Sequence, residues 1–138
     1  MATTQPPTMR TIRVVAAVIE RDGCYLITQR RPSAVLPLLW EFPGGRVEDG
    51  ESDAEALRRE LRHRLGAEID VGALISFVTH TYETYAVDLH LYDCELGGDT
   101  LRAAAVNAFE WVRSDEFERY PFTPADEASM ARLLEVDD

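Results

Sequence analysis

GGRVEDGESDAEALRRELRHRLG, residues 44–66, is the stretch on which the reading of this chain turns. It opens on Gly44 and Gly45, which permit close approach of backbone to a ligand. Ser52 and Glu55, three residues apart, form a capping box. Ala54, Leu57, Leu61 and Leu65 then repeat at helical spacing, and Gly66 marks the stop. The segment predicts a glycine loop feeding directly into a helix.

The flanks supply strands. Ile12 to Ile19 is rich in β-branched residues, Asp22-Gly23 is a hairpin-turn pair, and Tyr25 to Thr28 resumes an apolar run. Pro37 interrupts the next stretch, and Trp40 and Phe42 give it bulk before Pro43. Ala73 to Thr79, Ala86 to Cys94 and Val106 to Val112 read as further strands, with Gly97-Gly98 turning between the last two. In the second, Val87, Leu89 and Leu91 share one face, and Asp88, His90 and Tyr92 the other. Thr123 caps a closing helix with Pro124 in first position and Met130, Leu133 and Leu134 facing inward. The order predicts an α+β chain, a mixed β-sheet between helices in an α/β/α sandwich. One domain is expected over 12–138, behind a flexible tail at 1–11.

Composition narrows the function. The chain has 138 residues, and a hydrophobic fraction of 46% with 28% charged residues suits one globular core. A formal net charge of -11, with no cluster of Lys and Arg, argues against DNA or long RNA as a partner. A small anion remains compatible. Cys24 and Cys94 show no metal-binding spacing and read as thiols in a reducing compartment. No signal-like or membrane-spanning run is evident, so a cytoplasmic protein without a membrane partner is expected. Monomer and homodimer both stay open.

Gly45, Glu51, Arg59-Glu60-Leu61 and Gly66 fall in the spacing G-x5-E-x7-R-E-U-x-E-E-x-G-U, where U is apolar, and so resemble the Nudix box. The run Trp40-Glu41-Phe42-Pro43-Gly44-Gly45, with Val47-Glu48 and Gly50-Glu51, resembles the MutT-type branch of that family. Tyr120-Pro121-Phe122-Thr123-Pro124-Ala125-Asp126 is similar to the end of MutT and CTP pyrophosphohydrolase members. The resemblance implies a small-molecule nucleotide substrate, cleaved to monophosphate and pyrophosphate with a divalent metal, Mg²⁺ or Mn²⁺. It also implies that Glu60 is ligand or base, that Glu51 and Arg59 orient the acids, and that the Gly44-Gly45 loop offers backbone oxygen. A further carboxylate would come from Glu95 or Asp99. Arg30 matches a phosphate-contacting arginine, with a surface charge beside the strand as the alternative; Asp126 matches a residue that reads the nucleobase, as an ionised acceptor, with completion of the Thr123 cap as the alternative. Trp40 and Phe42 read as core or pocket wall.

His63 and Arg64 depart from the pattern, which has acids at both positions. With neutral His, three negative charges become a sum of zero over Glu60, His63 and Arg64. A guanidinium ~5 Å from a divalent ion, at an effective dielectric of ~20, is repelled by about 6–7 kcal/mol at most, because the stem is flexible. Three readings stay open. Arg64 pairs with Glu60 at i,i+4; or Glu60 and His63 share a softer ion, Mn²⁺ or Zn²⁺; or Arg64 contacts a substrate phosphate. The competing function is a catalytically impaired Nudix fold that binds a nucleotide or protein partner.

Overall fold

The structure is a computed structural model that describes residues 10–136, with side-chain surroundings through residue 130. The expected tail is thus outside the described residues up to position 9, as are the side chains of Leu133 and Leu134. Arg10 and Thr11, assigned to that tail, belong to the first strand, β1 (Arg10–Val18), where they pair with Tyr85 and Ala86.

The first hairpin forms as Asp22-Gly23 predicts. Both residues adopt positive φ, 54° and 80°, the combination a tight right-twisted hairpin requires. They join β2 (Glu20–Arg21) to β3 (Cys24–Gln29). Two short strands follow, β4 (Trp40–Glu41) and β5 (Gly44–Arg46), and then helix α1 (Asp53–Leu65). The capping box is present in full: Glu55 N–H donates to Ser52 Oγ at 3.1 Å, and Ser52 N–H donates to Glu55 Oε1 at 3.1 Å. Gly66 closes the helix at φ 64°. Within α1 the core stripe is Ala56, Leu57, Leu61 and Leu65; Ala54 is half-buried.

The remaining strands are β6 (Ile69–Thr81), β7 (Tyr85–Leu96) and β8 (Ala108–Arg113). β6 and β7 outrun their predicted lengths, and their ladder continues on both sides of register shifts between Val71 and Leu74 and between Leu74 and Ser76. The segment after Gly97-Gly98 does not turn straight into β8. It docks on the end of α1, where Ala104 and Ala105 N–H donate to the Arg64 carbonyl at 3.0 and 3.1 Å. A 3-10 turn at Ser114–Arg119, without a sequence signal we could read, inserts Phe117 into the core before α2 (Pro124–Val136).

The α+β architecture is as expected, and its strands divide between two sheets. The mixed sheet runs β5-β1-β7-β6, with β1 parallel to β7. The second sheet is antiparallel, with β2 and β4 pairing along one part or another of β3, and β8 also on β3. Alternation along β1 sends Val15 and Ala17 toward α1, and Ala16 and Val18 toward the aromatic core that includes Phe42, Phe122 and α2's Met130. Trp40-Glu41 lies in the second sheet and Gly44-Gly45 in the first. The chain therefore crosses between sheets at Phe42-Pro43, and the candidate site forms at that crossing.

Candidate functional site

Gly44 and Gly45 are glycines for want of space. On β5, Gly44 pairs with Ala16 and Gly45 with Val15. A Cβ on Gly44 would lie 1.9 Å from the Val15 carbonyl oxygen, and one on Gly45 would lie 2.5 Å from Glu60 Cδ. The loop thus lies flat against β1 on one side and against Glu60 on the other.

Arg59 ties that loop to the helix. Its Nε and Nη2 donate to Glu51 at 2.7 and 2.9 Å, Nη2 also donates to the Arg46 carbonyl at 2.9 Å, and Nη1 donates to Glu60 Oε1 at 2.6 Å. The Arg59 hydrogen bonds, helped by a backbone N–H from Glu48, pull the Glu51 carboxyl down to about 2. The Arg59 guanidinium is raised further, first by Glu51 and then by Glu60. Glu51 and Arg59 thus fasten the loop to the helix.

Glu60 is 7% exposed and is gripped from both ends. Arg59 holds Oε1, and Arg64 Nε donates to Oε2 at 2.6 Å. Of the readings open for Arg64, the i,i+4 pair is the one the geometry displays. Arg64 also lines a cavity of about 420 Å³ between the two sheets. The polar wall of that cavity includes Arg30, Glu41, Arg46, Arg64, Tyr82 and Asp126, and Val14, Val87 and Leu89 supply apolar wall.

At the other end, Arg30 Nη1 donates to both oxygens of Glu41 at 3.2 Å, and its Nε donates to the Val35 carbonyl at 2.6 Å. Asp126 is 5% exposed. Its Oδ1 accepts from Phe42 N–H at 2.9 Å, and Oδ2 accepts from Thr123 Oγ1 at 2.6 Å. Burial, then the charge of nearby Glu41, pushes the Asp126 carboxyl up to about 7, and burial raises Glu41 as well. Both oxygens of Asp126 act as acceptors in this arrangement, while burial favours the protonated form. The residue also completes the helix cap, since Asp126 N–H donates to Thr123 Oγ1 at 3.3 Å.

The buried carboxyl has a pH signature. Unfolded, it titrates near the ordinary 3.8; folded, near 7; the native state therefore holds the extra proton between these values. Its contribution to stability is present at low pH and is lost as pH rises through about 7. Asp126→Asn should flatten this dependence. Urea unfolding at steps from pH 5 to 8 checks it, and identical slopes in the two proteins would refute the assignment.

The expected metal ligands do not converge. His63 and Glu95 are exposed and absent from the cavity wall, Glu95 lying opposite Asp70 near the end of the β6–β7 ladder. Asp99, the alternative to Glu95, pairs with Arg21 at 2.9 Å. Gly44 lines the cavity, but both oxygens of Glu60 are taken by guanidinium groups. Among the described residues, no group of three or more His, Cys, Asp or Glu could hold a metal ion. The residues as arranged do not fit a resident divalent ion at Glu60.

Glu41, Arg46 and Tyr82 were not singled out from sequence for this cavity. Glu41 had a readable signal: beside Trp40 on a two-residue strand it must face the opposite way from that core side chain. Tyr82 had none, since it reaches the cavity from the β6–β7 turn, where its hydroxyl accepts from Ala125 N–H at 3.3 Å.

Known proteins resemble this chain in sequence and fold. Residues 14–132 match the model of the NUDIX domain. The chain is 41% identical over 118 residues to the CTP pyrophosphohydrolase of Escherichia coli (strain K12), covering 86% of this chain and 87% of that protein. It is 32% identical over 131 residues to the nucleoside triphosphatase NudI of Salmonella arizonae, covering 85% and 92%. Among solved structures, the E. coli ORF135 protein superposes with a TM-score of 0.79 at 35% identity, over 97% of this chain and 96% of that one. The MutT protein of Methanosarcina mazei, at 19% identity and a TM-score of 0.83, covers 94% and 97% and shares the fold. A chain with this box, this crossing between sheets and these relatives belongs to the NUDIX domain family.

Proposed function

We propose that the chain hydrolyses a nucleoside triphosphate, or a related nucleoside diphosphate derivative, to the monophosphate, releasing pyrophosphate or phosphate. The observation that carries this is the polarity of the cavity. Arg30, Arg46 and Arg64 offer guanidinium groups to a phosphate chain, and Asp126 stands with Glu41 against the aromatic core where a base edge can be read. The relatives at 41% and 32% identity, a CTP pyrophosphohydrolase and a nucleoside triphosphatase, support this substrate class.

Each residue has a task in this reading. Arg30, held by Glu41 and the Val35 carbonyl, presents a fixed charge to phosphate. Asp126, which lines the cavity beside Glu41, hydrogen-bonds the base. Glu60 accepts the proton of the attacking water at Oε2 once Arg64 has turned from it to phosphate. Glu51 and Arg59 keep the loop and Glu60 in place. Hydrolases of this family generally need a divalent metal, and the choice between Mg²⁺ and Mn²⁺ belongs to the assay.

Pyrophosphate release from the common nucleoside triphosphates, with each metal and with none, tests the reading. Turnover of at least one nucleotide, with pyrophosphate and monophosphate in equal amounts, is expected. Absence of turnover across the whole panel would favour a nucleotide-binding module instead.

A further inference from the structure

We infer that Arg64 shuts divalent ions out of the Glu60 site in the free protein and makes that wall of the cavity a guanidinium site for polyphosphate that needs no metal. This rests on the reading of the cavity as a nucleotide site and adds how the phosphates are held.

Three observations converge. First, a guanidinium already sits on each oxygen of Glu60: Oε1 accepts from Arg59 and Oε2 from Arg64, both at 2.6 Å. A cation approaching either oxygen meets a fixed positive charge within hydrogen-bond reach, and repulsion at that range exceeds what one carboxylate returns. Gly45 covers the same carboxyl so closely that a Cβ there would be 2.6 Å from Oε2. Second, the nearby carboxylates that could compensate are themselves held by arginines, Glu41 by Arg30 and Glu51 by Arg59. His63 is exposed outside the cavity wall, and Asp99 is engaged by Arg21.

Third, Arg64 is equipped for an anion. Its Nε is committed to Glu60, while its two terminal nitrogens hold no hydrogen bond among the described residues, and the residue lines the cavity. That leaves a planar pair of NH₂ groups, the geometry that clasps a phosphate in bidentate fashion. Arg46 lines the same cavity and likewise has no side-chain hydrogen bond among the described residues. In a chain of net charge -11, these two side chains set guanidinium groups on the cavity wall. A phosphate clasped there shares the guanidinium with Glu60, and its pull weakens the Nε–Oε2 hydrogen bond, so anion binding and release of the carboxyl are linked.

Two titrations of the full chain decide the matter, neither of which needs turnover. In the first, Mn²⁺ alone is added and followed by calorimetry. The natural protein should show no saturable uptake up to about 1 mM, in the range where few-carboxylate sites bind weakly. The double variant His63→Glu with Arg64→Glu should gain it. Uptake by the natural protein that Glu60→Gln abolishes would overturn the inference.

In the second, inorganic tripolyphosphate is added in EDTA. The natural protein should bind, Arg64→Ala should bind about 10- to 100-fold more weakly, and Arg64→Lys should fall between, because it keeps charge and loses the fork. Absence of binding by the natural protein, or equal affinity in Arg64→Ala, would overturn it. Thermal melting of each variant separates loss of the site from loss of fold, and Arg64→Lys carries the comparison if the alanine variant melts early. A protein that binds tripolyphosphate in EDTA yet hydrolyses no nucleotide would sink the hydrolase reading and keep this one. One that hydrolyses nucleotides yet binds polyphosphate only with metal would do the reverse.

Discussion

Glu60→Gln is expected to lower nucleotide turnover by about 100-fold or more, the scale at which a positioned proton acceptor contributes. The fall should appear in kcat, with KM little changed, because the phosphate-facing arginines remain. Stability should fall too, by about 1–3 kcal/mol. A glutamine amide sets a donor against one of the two guanidinium groups that Glu60 satisfies through Oε1 and Oε2. Single-turnover kinetics beside urea unfolding separates the two effects. If the variant kept activity within about 3-fold of the natural protein, Glu60 would not be the group that accepts the proton.

Gly44→Ala is the largest expected loss of stability, at least about 3 kcal/mol, at the upper end of what overpacking produces. The new methyl would meet the Val15 carbonyl oxygen at 1.9 Å and Ala16 Cα at 2.7 Å. Both are backbone of the paired strand β1, so no rotamer change relieves the contact, and β5 must leave its ladder. Gly45→Ala is the informative contrast. There the methyl meets the side chain of Glu60, at 2.5 to 2.8 Å from Cδ, Oε2 and Cγ. A side chain can yield, so this variant should fold with a smaller penalty yet lose turnover through displaced Glu60. Thermal denaturation and a turnover assay of the pair check both halves, and equal melting temperatures for the two variants would contradict the space argument.

These adjacent glycines show where sequence reading succeeds and where it stops. Close backbone approach at Gly44-Gly45 could be expected from the residue type alone. That one glycine faces strand backbone and the other faces a carboxyl is a matter of the β5–β1 register. Likewise the two charges of Arg59 and Glu51 are eight residues apart and mean little until the loop folds back on the helix.

Local chemistry was legible wherever it depends on near neighbours. The capping box at Ser52, the stop at Gly66, the hairpin at Asp22-Gly23 and the cap at Thr123 follow from short-range hydrogen bonding and backbone sterics, which the sequence specifies directly. Spacing in the box placed the chain in its family, and the i,i+4 relation of Glu60 and Arg64 allowed their pairing. Tertiary structure alone decided which of the allowed partnerships exist. The crossing between two sheets set Glu41 and Asp126 together in a buried pocket, because desolvation depends on everything packed around a group and not on its neighbours in sequence. It also left His63 and Glu95 outside the cavity and turned Arg64 onto the carboxyl that a metal would have needed. A helix fixes the angle between side chains, and only the surface packed against it decides which of them share a site.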